Sequence, residues 1–598
     1  MLFICLQEWA YVCKIGDERN FERKFTNVMK KTKSKEFNLK GRLVPKLFTC
    51  MKGYSKAQFV KDIVAGLLVA IIAFPLSVAL AISSGMSPET GLYSAIVGGF
   101  FVSVFGGSKV NIGGATAATV MTVFTIIEDF GLTGLAVASI IAGIVLILLG
   151  LLRAGVLLRY IPRTITLGFT AAIAMGIFSG QLKSFFGLEM GAIPVKVLDK
   201  FAAYAKVLHT VDVPTLAVGL LAMLVLIILP KLLPKVPNSL AAILITTPVA
   251  LLMKNMFEIE VATIRSVYGE LPSHFPTPKM PEVTWQLVEN VLPSAVTLAA
   301  LIAIVSLLAC VVTDGLMGER HDSNQELIAQ GIANIFCGFF GAVPVAGAVA
   351  RASNSVKNGG RTPIAGIVHS IGVTIILLCM MPLAGYIPMP TLAAILILVA
   401  YNMSNWREIV AIGKNAPKSD FLVLIVAFVT GVVVDLLFAV EVGVFLAALL
   451  FLRKISNVTT IRQWKEVEDL KAEEGTEAFK PIPKHTLVYE IEGPVIFATV
   501  DALTEKVIST ITKETEVVVV RMRSVSSIDI TAIRAWENVL QMCKVRGIHL
   551  IFSHVMEYPY KVMEKSKFVE KVGKENFCEH IDAALVRAEQ IVLNGKKE

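Results

Sequence analysis

From about residue 59 to about residue 455 the chain returns again and again to apolar runs long enough to cross a bilayer core of about 30 Å. Such a pattern commits it to a polytopic membrane protein built mainly of helices. Only 17% of the 598 residues are charged and the mean hydropathy is +0.68, which excludes a soluble enzyme of this length. The runs fall near 60–83, 90–106, 113–128, 132–152, 162–180, 213–230 and 237–255. A second series falls near 288–312, 326–341, 346–357, 364–384, 390–403, 419–436 and 438–454. An odd number of spans per half means that two similar halves must be inverted with respect to each other across the membrane. About 14 transmembrane segments in a 7+7 inverted repeat are therefore expected.

The third run of each series opens on small residues: Asn111-Ile112-Gly113-Gly114-Ala115-Thr116-Ala117 in the first, Pro344-Val345-Ala346-Gly347-Ala348-Val349-Ala350-Arg351 in the second. Half-length or broken helices at matching places of two halves point to a transport site. Their first N–H groups lack intrahelical partners, and their positive dipole ends face inward toward a buried anion. Gly113, Gly114, Ala115 and Thr116, with Gly347 and Ala348 opposite, let backbone approach a ligand closely. The competing reading of these residues is tight helix packing alone. A helix N-terminus supplies roughly 0.3–2 kcal/mol toward an anion, so two of them offset part of its dehydration without a fixed charge.

Residues 1–60 carry 13 Lys and Arg against 5 Asp and Glu, and such a basic flank on the first span argues for a cytoplasmic N-terminus. Its position beside a span speaks against a nucleic-acid arm. The apolar stretch at Met1–Cys5 is too short for a signal peptide, and Met29-Lys30-Lys31-Thr32-Lys33 reads as an alternative natural start. The eight cysteines show no metal-ligand spacing and read as reduced and structural; no cofactor and no metal is expected. An even number of spans also places the C-terminus in the cytoplasm. There, a Lys- and Glu-rich linker leads into a small α/β module. Val517–Val520 reads as a buried strand, with Leu487–Ile491, Val495–Ala498 and Ile548–Phe552 as further extended pieces. Helical periodicity covers about 501–512, 531–545, 556–568 and 580–593.

Several motifs resemble the SulP family of inorganic anion transporters. They are Asp62-Ile63-Val64-Ala65-Gly66-Leu67 leading to Phe74-Pro75, Gly91-Leu92-Tyr93-Ser94-Ala95, Gly106-Gly107-Ser108, Thr313-Asp314-Gly315, Arg320 through Gly331, and Gly359-Gly360-Arg361-Thr362-Pro363. Ser527-Ile528-Asp529-Ile530-Thr531-Ala532 resembles the strand-to-helix turn of the STAS domain that these transporters carry. The domains expected are a basic segment 1–58, a transmembrane transporter domain 59–455, a linker 456–484 and a STAS-like domain 485–598. The resemblance implies a core domain carrying the anion, a gate domain supporting it, elevator-like alternating access and a homodimer in the cell membrane.

Carried onto this sequence, the resemblance gives Arg351 as a positive field at the site, one turn beyond Gly347. Its competing role is an ion pair with Asp314 or Glu326. Phe74 and Ser77 would line the pocket from the first span, although many relatives carry a glutamine where Leu76 follows Pro75. In the eighth span relatives often carry a carboxylate, linked to proton or sodium coupling, where this chain has Val305; Ala309, one turn on, is also apolar. The remaining acidic residues, among them Glu128, Asp314, Glu326, Asp435 and Glu441, fall near span ends. An intramembrane carboxylate is the usual cation relay, so exchange or uncoupled transport is expected. His369 reads as a packed, hydrogen-bonded histidine rather than a titrating one. Thr531 stands where some stand-alone relatives are phosphorylated. Ile530 and Ala532 depart from their pattern, and a folding or interface role is expected for Asp529 and Thr531.

The leading function is secondary transport of an inorganic anion, sulfate first, with bicarbonate, chloride or a dicarboxylate behind it. A nucleobase permease would present acidic side chains where Val305 and the small residues stand. A sensor that binds an anion without moving it, and signals through a cytoplasmic partner of the STAS-like domain, is the alternative from another class. No nucleophile, metal cluster or nucleotide loop supports an enzyme, and the partners expected are the anion, membrane lipid and a second copy, with no nucleic acid.

Overall fold

The computed structural model describes residues 43–595 apart from 52, 156–161, 192, 234–235, 435 and 465–480. The basic segment before residue 43, the alternative start at Met29, Asp435 and most of the linker lie outside the described residues. Two compact units are present. One comprises the chain through Ile161 with Phe169–Ile409 and Phe428–Leu437; the other comprises Pro162–Gly168, Val410–Ala427 and Phe438 onward.

The first series begins with α1 (Lys56–Ser83), whose N-cap Ser55 accepts from the Gln58 N–H and which carries Pro75 inside. Next come α2 (Pro88–Tyr93), a π-helical turn (Ser94–Gly98) and α3 (Gly99–Phe105). Strand β1 is only Gly113–Gly114 and is followed by a 3-10 turn (Ala117–Thr119) and α4 (Val120–Leu151). Two expected spans, 113–128 and 132–152, thus run into one element, and the break between them is Gly131, at φ 68 and ψ −172. A side chain there would be strained, which is why this bend takes glycine. Then follow α5 (Arg163–Phe186), α6 (Val197–Val207), α7 (Val213–Leu232) and α8 (Asn238–Phe257).

The second series repeats the order with α9 (Trp285–Met317), α10 (Ser323–Phe339), β2 (Ala346–Gly347), α11 (Val349–Lys357), α12 (Ile364–Ala384), α13 (Met389–Met403), α14 (Trp406–Asn415), α15 (Lys418–Val433) and α16 (Leu436–Val458). Seven of the described helices are long and apolar enough to cross a membrane. The other expected segments are mostly shorter helices at the places anticipated. Helices α6 and α14 were not anticipated; both are short and amphipathic. Strands β1 and β2 pair antiparallel, Gly113 opposite Gly347 and Gly114 opposite Ala346, the relation that inverted halves produce. Helices α4 and α10 press together at Gly143 and Gly331: a Cβ on either would lie 2.5 Å from the other's carbonyl oxygen.

In the second unit five strands form one sheet in the order β3 (Thr460–Gln463), β4 (Thr486–Glu492), β5 (Val517–Ser524), β6 (His549–Ser553) and β7 (Phe577–Cys578). The β3–β4 pair is antiparallel and the rest are parallel. Strand β3 lies inside the stretch read from sequence as a linker. Val495–Ala498 is not a strand; Val495 alone makes a parallel bridge to Ile528. Helices α17 (Val500–Thr510), α18 (Ile530–Val545), α19 (Glu557–Lys565), α20 (Phe568–Val572) and α21 (Ile581–Gly595) complete the module. Strand β5 is buried on both faces, from Val517 to Met522, and this gives the sheet two cores. Val518, Val520, Trp536 and Phe552 belong to one, and Val517, Val519, Ile551 and Leu585 to the other.

Candidate anion site

Two residues per strand make a weak sheet, so the β1–β2 crossing is held by other groups. Ser306, on α9, accepts from the Gly347 N–H at 2.9 Å, and the Ala348 N–H donates to Ile112 O at 3.2 Å. On α10, Glu326, Gln330 and Asn334 form one polar ladder at helical spacing. Asn334 donates to Val345 O and accepts from Val345 N–H, both at 2.8 Å. Glu326, 0% exposed, accepts from the N–H groups of Gly107 at 2.9 Å and Ser108 at 3.1 Å, from Asn111 Nδ2 at 2.7 Å and from Gln330 Nε2 at 3.0 Å. A buried carboxylate with four donors is satisfied without a counter-ion. It sits in the first turn of α10, as expected of a span end, but as an internal clamp on the approach to β1.

Arg351 is 2% exposed. Its Nη1 donates to Gly113 O at 3.1 Å, and its Nη2 donates to Ser77 Oγ at 3.0 Å and to Ala115 O at 3.4 Å, while its Nε has no partner. The expected carboxylate partners are engaged elsewhere. Asp314 accepts from His321 Nδ1 at 2.7 Å, and Glu326 holds the four donors just described. The ion-pair reading of Arg351 is therefore corrected: among the described residues no carboxylate pairs with it. Burying a cation costs several kcal/mol, and neutral acceptors return only part of that.

Arg351 thus gathers Ser77, Gly113 and Ala115 around one guanidinium. Gly114 belongs with them because a Cβ there would overlap Nη1 and lie 2.6 Å from Cζ. Gly347 is held opposite, where a Cβ would meet Asn111 Nδ2 at 2.6 Å. Ala348 is the N-cap of α11 and offers no side-chain hydrogen bond, which leaves the first turn of that helix uncapped by protein. Thr116 likewise gives no cap to the 3-10 turn before α4; its hydroxyl lies 3.4 Å from Thr119 Oγ1. Phe74, 6% exposed, is one turn from Ser77 on α1, with Pro75 between them. Val305 is half-buried and Ala309 fully buried; the polar contact of this stretch of α9 comes from Ser306 beside them.

Sequence reasoning missed Ser306, Asn111 and the Glu326 ladder. The i, i+4, i+8 spacing of Glu326, Gln330 and Asn334 in a mostly apolar helix was the available signal. His369 corrects another expectation: it is 0% exposed, yet neither ring nitrogen has a hydrogen-bond partner. In the sheet module Asp529 caps α18, accepting from Ala532 N–H and from Phe497 N–H, both at 2.8 Å. Thr531 is exposed in the first turn of that helix.

The sulfate permease family model matches residues 59–427, and the STAS domain model matches 479–584. A putative sulfate transporter of Bacillus subtilis (strain 168), YvdB, is 35% identical over 531 residues, covering 89% of this chain and 98% of the relative. The bicarbonate transporter BicA of Picosynechococcus sp. is 28% identical over 511 residues, covering 82% and 88%. Among solved structures, SLC26A9 has the same fold, with a TM-score of 0.81 at 18% identity over 93% of this chain and 94% of that one.

Proposed function

Because the chain belongs to the sulfate permease family of membrane anion transporters, we propose that it is a secondary transporter of an inorganic anion, sulfate first among the candidates. Bicarbonate comes second, since a bicarbonate transporter stands among the relatives. The observation that carries the reading is the buried guanidinium of Arg351, held by neutral acceptors between the starts of two broken helices and lacking a carboxylate. A small anion placed there neutralises the cation and accepts from the free first-turn N–H groups of α11.

In this reading Phe74, Ser77, Gly113, Gly114, Ala115, Thr116, Gly347, Ala348 and Arg351 form the site. The core domain that carries them moves as the elevator and a gate domain supports it, the protein works as a homodimer, and both termini are cytoplasmic. Val305 and Ala309 supply no carboxylate, and Glu326 is committed to four donors, so transport proceeds by exchange or without cation coupling. The STAS-like domain, with Asp529 and Thr531 at its strand-to-helix turn, is the regulatory part.

The test is uptake of radiolabelled sulfate into proteoliposomes, with and without internal sulfate and with imposed proton or sodium gradients. Acceleration by internal sulfate alone is expected. Gradient-driven uptake refutes the coupling assignment, and binding without flux of sulfate or bicarbonate refutes transport.

A further inference from the structure

His369 lies in the second turn of α12, in the layer between α1 and β1. A Cβ on Gly372, one turn along, would lie 2.9 Å from Cβ of Ala70 on α1. On the other side, a Cβ on Gly99 would lie 3.7 Å from His369 Cδ2 and 3.2 Å from Gly113 O. That carbonyl is the one that accepts from Arg351 Nη1. The imidazole is thus a neighbour of the guanidinium's own hydrogen-bond partner, across a gap that only a glycine at 99 leaves open.

The surroundings are otherwise closed. Ser370 beside it donates to Ala95 O at 3.1 Å, which pins α12 to the π-helical turn. Asp62 fixes the start of the helix by accepting from Arg361 N–H at 2.8 Å and Thr362 Oγ1 at 2.6 Å. No charged residue of the packed elements competes for the ring. Helix α1 carries Lys56, Lys61 and Asp62 in its first two turns and none from Ile63 to Ser83; the π-helical turn and α3 carry none; Glu89 is at the start of α2. The charged group that acts on the ring is Arg351.

More than nine in ten buried polar groups in proteins have a partner, and His369 has none on either nitrogen. Packing alone gives no reason for imidazole here, because an apolar side chain of similar volume fills such a place without leaving polar atoms unpaired. Building on the anion site proposed above, we propose that His369 is a second side-chain donor of that site, giving a ring N–H to an oxyanion that Arg351 and the first turn of α11 hold. Two donors from different helices suit a ligand with several oxygens, such as sulfate or bicarbonate, better than a halide.

The test uses the full-length protein in proteoliposomes, with radiolabelled sulfate and bicarbonate as probes and three variants: His369→Leu, His369→Gln and Arg351→Ala. Loss of a hydrogen bond to a charged partner corresponds to a rise of roughly 10- to 100-fold in the half-saturating concentration. That rise is expected for His369→Leu, with an unfolding temperature equal to or above that of the wild type. His369→Gln, whose amide restores an N–H, is expected to recover most of the affinity. The assignment is overturned if His369→Leu stays within about threefold of wild type, or if a folded His369→Gln binds no better than His369→Leu. If His369→Leu does not fold, a His369→Gln protein with a wild-type unfolding temperature and no measurable uptake also overturns it. Arg351→Ala separates the two readings. If it weakens binding while His369→Leu does not, only the histidine is misassigned; if it leaves binding unchanged, the anion site itself is wrong and the histidine with it.

Discussion

Replacing Gly114 with alanine should weaken anion binding while sparing the fold, and the reason is geometric. The new Cβ would overlap Arg351 Nη1 and lie 2.6 Å from Cζ and 3.0 Å from Nη2. Carbon contacts are ordinarily about 3.5–4.0 Å, so the guanidinium must retreat by about 1 Å at Cζ and by about 2 Å at Nη1. It can do so, being the free end of a flexible side chain, and the backbone need not move. The retreat carries Nη1 and Nη2 away from Gly113 O, now at 3.1 Å, and Ala115 O, now at 3.4 Å. The same shift takes the guanidinium away from the anion of the proposed site, and loss of one hydrogen bond from it to the anion is worth about 2 kcal/mol, or roughly 30-fold in affinity. Gly331→Ala is the control: its Cβ would lie 2.5 Å from Gly143 O and 2.9 Å from Ile147 N, backbone atoms of a neighbouring helix. Overpacking of that kind costs about 1–3 kcal/mol of stability. Sulfate uptake kinetics and thermal unfolding of both variants should therefore dissociate, with Gly114→Ala moving the half-saturating concentration and Gly331→Ala the unfolding temperature. A Gly114→Ala protein with wild-type affinity would mean that the guanidinium position does not matter to the ligand.

The Glu326 clamp makes a second prediction. In Glu326→Gln an amide NH2 replaces one acceptor oxygen and faces two of the four donors, which costs about 2–5 kcal/mol; a change in unfolding free energy below about 1 kcal/mol would sink the clamp reading. A third concerns Lys200 on α6, which is 4% exposed and whose Nζ donates to Met121 Sδ at 3.7 Å. Burial lowers its pKa from 10.5 to about 8, with Glu128 opposing the shift. The unfolded chain then holds this proton up to pH 10.5 and the folded one only to about 8, so stability rises with pH between those values and is flat below. The gain is on the order of 3 kcal/mol. The difference in unfolding temperature between wild type and Lys200→Met should shrink as pH climbs from 7.5 to 10; a difference independent of pH would show that the lysine is not buried as charge.

Most of the membrane fold was legible because lipid leaves few ways to place a long apolar run, and glycine marks where such a run must bend. Gly131 separates two spans at the point the sequence suggested, and the small residues at 113–114 and 346–347 are where helix gives way to extended chain. Helices α6 and α14 were missed because a search for apolar runs passes over short amphipathic helices. Strands β3 and β7 have four and two residues, too few for alternation to register. Val495–Ala498 looked extended, but Gly493, at φ 98, and Pro494 turn the chain away from the sheet after β4.

The site was legible only on the side that backbone chemistry dictates. Small residues announce close approach wherever they stand, so Gly113, Gly114 and Gly347 could be named from the chain alone. The partners of Arg351 could not. The sequence offers Asp314 and Glu326 as nearby acids, and an arginine in an apolar segment invites one of them. Pairing is decided by what else competes for each carboxylate. His321 takes Asp314, and the backbone N–H groups of Gly107 and Ser108, with Asn111 and Gln330, take Glu326. With both acids occupied, Arg351 keeps its charge unneutralised by any described residue, and Glu326, instead of cancelling it, stiffens the loop leading to β1. The same residues read as an ion pair would have predicted a closed, structural core. Read with their actual partners, they leave a fixed positive charge beside two uncapped helix starts, an arrangement that favours a mobile anion over any fixed one.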